Sequence, residues 1–99
     1  TGGGLPENLP RVLPQGLGAR LDLSTHQRPA IFQIIERGGP VDEAEMRRTF
    51  NLGVGLCVVV ATAAADRAIA ALQAAGERAW KLGEIVERPE GERILFAGD

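Results

Sequence analysis

Apolar and polar residues alternate along this chain in segments whose period changes from helical to extended and back. Leu5, Leu9, Val12 and Leu13 recur at helical spacing, with Pro6 suited to a first turn and Pro10 unable to donate to a continuous ladder. The pattern predicts a short helix, in two pieces, ending at Pro14. Leu17, Ala19, Leu21 and Leu23 then alternate with Gly18, Arg20, Asp22 and Ser24, which predicts a strand with one face in a core. From Pro29 the spacing of Ile31, Phe32, Ile34 and Ile35 is helical again and closes at Gly38 and Gly39. Asp42 and Glu45 stand as a capping box, Val41 and Met46 occupy staple positions, and Arg47 and Arg48 fall where cations favour a helix C-terminus.

Residues 54–61 (Val-Gly-Leu-Cys-Val-Val-Val-Ala) are continuously apolar and rich in β-branched side chains. Such a run predicts a central strand covered on both faces. Thr62 is placed to cap a helix whose inner stripe is Ala65, Ala68, Ile69 and Leu72, stopping at Gly76. Residues 79–86 read as a strand, Pro89-Glu90-Gly91 as a turn, and residues 93–97 as a strand returning beside it. The order implies an α/β (α+β) domain: a mixed sheet of about four strands, a βαβ segment followed by a hairpin, with helices packed on it.

Ninety-nine residues allow one domain. Of the 44% hydrophobic residues, fourteen are alanines, so the core is small. A net charge of −2 and four aromatics give neither a basic face nor a stacking platform, which argues against nucleic acid as a partner. One cysteine and one histidine exclude a disulfide framework, a Cys-rich zinc site and a Ser-His-Asp triad. No apolar run reaches membrane-spanning length, and a reduced cytoplasmic setting is the expectation. The chain opens at Thr1-Gly2-Gly3-Gly4 with no methionine, as an excised fragment would.

Two segments carry candidate chemistry. Backbone N–H groups of Gly2, Gly3 and Gly4 before a helix start can hold a phosphate or carboxylate, with a plain flexible turn as the simpler alternative. The stretch Arg48-Thr49-Phe50-Asn51-Leu52-Gly53 enters the apolar run, and its Arg, Thr and Asn suit oxyanions. The simpler alternative is that Asn51 and Thr49 satisfy backbone groups while Phe50 packs. His26 reads as a surface residue, Cys57 as a buried filler, and Trp80 as core. No catalytic residue and no metal ligand set emerge.

Three blocks carry a family resemblance: residues 1–14 (TGGGLPENLPRVLP), residues 45–55 (EMRRTFNLGVG) and residues 76–85 (GERAWKLGEI). In this order and spacing they resemble the C-terminal domain of the phosphoribosylformylglycinamidine cyclo-ligases, also called aminoimidazole ribonucleotide synthetases. The resemblance implies an α/β/α domain with partial ferredoxin-like character. It implies part of an enzyme of de novo purine biosynthesis that uses ATP and Mg²⁺ to close formylglycinamidine ribonucleotide into aminoimidazole ribonucleotide. ATP would be bound mainly by an N-terminal domain that this chain lacks, so residues 1–99 would be an incomplete C-terminal domain without activity alone. By the same resemblance Gly2, Gly3 and Gly4, with Thr1 and Asn8 nearby, would form a cleft that holds the substrate phosphate. Arg48, Thr49 and Asn51 would be cleft or structural residues. Where the family often carries a tryptophan, this chain has His26-Gln27-Arg28. Related ATP-using enzymes of the selenophosphate synthetase or amidotransferase type, or a stand-alone ligand-binding or interaction module, are the alternatives. Apolar surface left open by the missing elements predicts a homo-oligomer.

Overall fold

A computed structural model describes residues 2–98. Four α-helices and three strands follow in the order α1 (Gly4–Asn8), β1 (Leu17–Leu21), α2 (Ala30–Gly38), α3 (Glu43–Thr49), α4 (Ala65–Ala74), β2 (Gly83–Glu87) and β3 (Ile94–Phe96). The mixed α/β class expected from the pattern is present. The sheet has three strands rather than four, in the order β2-β1-β3.

The first helix does come in two pieces. α1 runs into a 3₁₀ turn, Leu9–Val12, with Pro10 at its start. Leu5, Leu9 and Leu13, four residues apart, face inward and are buried, whereas Val12 points to solvent. In β1 the alternation places Ala19 and Leu21 in the core and Arg20 outside. The strand stops at Leu21 rather than Leu23, because the Asp22 carboxylate accepts from Ser24 N (3.0 Å) and Ser24 Oγ (2.5 Å). These bonds turn the chain into a 3₁₀ turn, Leu23–Thr25, and hold the Asp22 carboxyl below its ordinary pKa.

β1 pairs antiparallel with β2, from Leu17 opposite Glu87 to Leu21 opposite Gly83. It pairs parallel with β3, from Ala19 opposite Ile94 to Leu21 opposite Phe96. The expected hairpin between the last two strands is therefore replaced by a crossover: β1 lies between them. Arg88 N donates to Gly16 O (2.7 Å) and Ala19 N to Arg93 O (2.8 Å), so the connecting residues arch past the start of β1. That path seats Ile94 against Ala19 and Leu21 in one apolar cluster with Leu5, Leu9, Leu13 and Val54.

The larger correction concerns residues 54–61, which form no strand among the described residues. Val54 is buried and Cys57 half-buried, but Leu56, Val58, Val59 and Val60 are exposed. The sheet places β1 in the centre instead, and among the described residues no layer covers Leu56 or Val58–Val60. α2 buries no residue fully, and Ile31 and Ile34 face outward. α4 presents the expected stripe of Ala65, Ala68, Ile69 and Leu72, each only half-buried. Thr62 does not cap it: a 3₁₀ turn, Thr62–Ala64, precedes the helix with no side-chain cap bond. At its end Gly76, at φ +91°, completes a Schellman arrangement, with Glu77 N donating to Leu72 O and Gly76 N to Gln73 O (both 3.0 Å).

Candidate functional site: the glycine turn and the end of α3

The glycine turn is shaped by backbone conformations that side chains resist. Gly3 lies at φ +87° and Gly4 at φ +60°. A Cβ on Gly4 would stand 2.2 Å from the carbonyl oxygen of Arg47 and 2.6 Å from that of Phe50. The glycine at the start of α1 thus lets its backbone press against the last turn of α3. Asn8 reaches back and closes the turn: its Nδ2 donates to the carbonyl oxygens of Gly2 (2.9 Å) and Gly4 (2.8 Å). Gly2 is exposed, with open space where a side chain would project.

α3 is built as its sequence indicates. Asp42 Oδ1 accepts from Glu45 N at 2.9 Å, which is the first half of a capping box. The second half is missing, because the Glu45 carboxylate pairs with Arg48 instead. Met46 is fully buried and fixes the helix to the core. Beyond α3, Asn51 Oδ1 accepts from Gly53 N at 2.9 Å and Asn51 O from Val54 N at 3.1 Å. This turn carries Leu52 at φ +57° and Gly53 at φ +91°. Phe50 packs against Phe32 of α2, ring centroids 5.7 Å apart.

The predicted residues therefore divide. Gly2, Gly3, Gly4 and Asn8 lie together, and Gly4 presses against the C-terminal turn of α3, which carries Arg48 and Thr49. Asn51 is occupied in building its own turn, and Asn8 spends its amide hydrogens on the glycine turn. Thr1 lies outside the described residues. Arg48 and Thr49 are exposed, and Arg48 lines an open cavity of about 760 Å³ with Pro6, Pro10, Arg20, Arg47 and Arg93. Among the described residues no three His, Cys, Asp or Glu side chains come together as a metal site.

Two clusters were not anticipated from the sequence. The Arg93 guanidinium donates to four carbonyls: Leu17 (2.9 Å), Pro10 (3.3 Å), Leu13 (3.0 Å) and Pro14 (2.8 Å). It ties the segment after the glycine turn to the edge of the sheet. Arg28 grips Glu43 with two bonds of 2.9 and 2.8 Å, while Arg47 donates to Glu43 at 3.3 Å and lies 4.3 Å above the Phe96 ring. The bond from Arg28, aided by the charges of Arg28 and Arg47, holds the Glu43 carboxyl below its ordinary pKa against some desolvation. His26 is not a surface residue: its ring stacks on Trp80 at 4.2 Å and 21°, and both ring nitrogens are buried.

Comparison with known proteins shows the family to which the chain belongs. Residues 1–96 match the family described as AIR synthase related protein, C-terminal domain. A phosphoribosylformylglycinamidine cyclo-ligase of Sorangium cellulosum is 69% identical over 99 residues, covering 97% of this chain and 28% of that protein. Proteins of the same name from Burkholderia vietnamiensis and Desulfitobacterium hafniense are 52% and 50% identical, covering 93% and 96% of this chain. Of those two proteins the chain spans 26% and 28%, so it corresponds to about a quarter of its relatives' length. The chain belongs to the family of AIR synthase related proteins, as part of their C-terminal domain.

Proposed function

We propose that this chain is part of an ATP-dependent cyclo-ligase that converts formylglycinamidine ribonucleotide to aminoimidazole ribonucleotide in purine biosynthesis. The observation that carries the reading is the match over residues 1–96, joined to relatives that bear the cyclo-ligase name. The geometry supports it in one respect: the glycine turn stands open at Gly2 and is braced by Asn8 and the end of α3. Backbone N–H groups held in such a turn suit a substrate phosphate, because the donors are preorganised and no side chain blocks approach. Arg48 stands on the adjoining groove, where its exposed pairing with Glu45 is easily exchanged for a ligand oxyanion.

In this reading ATP and Mg²⁺ bind mainly to polypeptide outside this chain, whose described residues bring together no group of three His, Cys, Asp or Glu side chains for the ion. ATP supplies activation of the amide oxygen that ring closure must expel. The work of these residues is to hold and orient the ribonucleotide. The whole enzyme is taken to be a cytoplasmic homo-oligomer without nucleic-acid or membrane partners. No helix among the described residues is long and apolar enough to cross a membrane.

The test compares the 99-residue chain with the longer enzyme. The longer enzyme should form ADP in response to formylglycinamidine ribonucleotide, and the chain alone should not. Substrate-stimulated turnover by the chain alone would overturn the reading. In the longer enzyme Gly2→Val should raise KM roughly tenfold, the loss of about one hydrogen bond to a charged group. An unchanged KM would return the turn to a purely structural role.

A further inference from the structure

The proposed reaction does not account for the network of Arg28, Glu43 and Arg47. Arg28 stands just before α2, and its side chain is 18% exposed. Its guanidinium meets the Glu43 carboxylate with two bonds of 2.9 and 2.8 Å, a two-pronged grip that fixes orientation as well as distance. Glu36 of α2 lies 4.0 Å from the same guanidinium. One turn along α3, Arg47 donates to Glu43 at 3.3 Å and lies over the Phe96 ring of β3. The pairs Arg11–Glu7, Arg20–Glu84 and Arg48–Glu45 are more than half exposed on both sides, where ion pairs contribute little.

α3 needs such a grip. It has seven residues, of which Met46 alone is buried, so packing pins one point and leaves the helix able to turn about it. Glu43 and Arg47 tie it to the entry of α2 and to β3. The last turn of the same helix is the seat of the glycine turn. There a Cβ on Gly4 would come within 2.2 Å of the Arg47 carbonyl oxygen and 2.6 Å of that of Phe50. A contact with so little slack passes a shift of α3 to Gly4, and to Gly2, which Asn8 ties to Gly4. We propose that Arg28, acting through Glu43 and Arg47, is a positioning residue that sets where the glycine turn presents its backbone N–H groups to the substrate phosphate. The inference rests on the cyclo-ligase reading and deepens it. No hydrogen bond among the described residues joins Arg28 to the glycine turn, so its influence passes through α3. Hydrogen bonds weaken steeply outside a narrow range of distance and angle, so a small displacement of the turn loosens its hold on an oxyanion.

A double-mutant cycle in the longer enzyme tests this, with KM for formylglycinamidine ribonucleotide and kcat measured together. Arg28→Gln should raise KM roughly fivefold and leave kcat nearly unchanged, since the loosened contact holds substrate and does not touch the reacting amide. Glu43→Gln should raise KM to a similar degree, and adding Arg28→Gln to it should raise KM no further. Arg28→Lys keeps the charge and loses the fork, so its KM should fall between wild type and Arg28→Gln. It carries the same cycle if Arg28→Gln does not fold. In the 99-residue chain, Arg28→Gln should also shift the backbone amide resonances of Gly2, Gly3 and Gly4. Unmoved resonances, an unchanged KM, or effects on KM that multiply in the double variant would each overturn the inference. Gly2→Val judges the cyclo-ligase reading separately. If it raises KM and Arg28→Gln does not, the reading stands and the inference falls; if neither raises KM, both fall.

Discussion

Leu21 and Val59 are aliphatic residues in stretches that both read as strands, yet one is 3% exposed and the other 54%. Leu21 lies in β1, flanked by a strand on each side and packed beneath the leucines that follow the glycine turn. Val59 lies in a run with neither neighbour. The same division holds for helices. α3 anchors a fully buried Met46 and closes its N-terminus with Asp42, while α2 buries nothing completely. Apolar composition alone therefore does not decide burial. What separates the two regions is whether the described residues supply neighbours that cover them. Gly3, Gly4 and Asn8 of the candidate site belong to the covered region, where backbone positions are pinned.

The largest expected effect probes that pinning. Gly4→Ala places a Cβ 2.2 Å from a backbone oxygen at a left-handed residue, so neither rotamer change nor side-chain movement relieves it. Denaturant titration should show a loss of about 3–5 kcal/mol, and Gly2→Ala, with open space around it, should be near neutral. Equal costs at the two positions would mean that the glycine turn is not seated on α3. Next comes Arg93→Met. It removes the donors to four carbonyls and should cost about 3 kcal/mol. Arg93→Lys should recover little, since a point charge cannot span the fork that a guanidinium reaches.

These two residues also mark what the sequence could and could not disclose. The cap of α3, the stripe of α4 and the two-piece first helix were legible because their partners lie within five residues. Asn51 building its own turn was legible for the same reason. Arg93 was not, since the carbonyls it binds lie about eighty residues earlier and carbonyls leave no mark on sequence. The strand order failed similarly. Residues 83–87 and 94–96 are close enough for a hairpin, and only the burial of Ile94 against Ala19 places β1 between them. The apolar run was misplaced because its pattern records that cover is needed, not which polypeptide provides it. His26 was misread because its stacking partner, Trp80, is distant in sequence.

A medium effect separates the regions by pH. Glu43 has a depressed pKa because it accepts from Arg28, with Arg47 adding to it. A carboxyl depressed in the folded state contributes stability that is complete above its unfolded value. That contribution is lost as pH falls through the lower folded value. Wild type should therefore lose stability progressively below about pH 4.5. Arg28→Gln should lower the plateau near neutrality and flatten this acid limb. The carboxylate is partly solvated, so screening keeps the change modest. An acid limb identical to wild type would remove Glu43 from the account and leave other carboxylates responsible.

The smallest expected effect is the one that decides the comparison. Val58→Thr replaces a methyl by a hydroxyl of nearly the same shape, so it changes polarity without opening a cavity. In a covered strand the hydroxyl would be buried without an assured partner, at a cost of about 1–3 kcal/mol. In this chain Val58 is 57% exposed, so the hydroxyl meets water and the substitution should stay within about 0.5 kcal/mol. Thermal denaturation of the dilute 99-residue chain resolves the two values easily. A loss above about 1.5 kcal/mol would show that the run finds cover within this chain. Leu21 and Val59 would then no longer stand for different environments. A near-zero change keeps the distinction and places any cover for Leu56–Val60 beyond these residues.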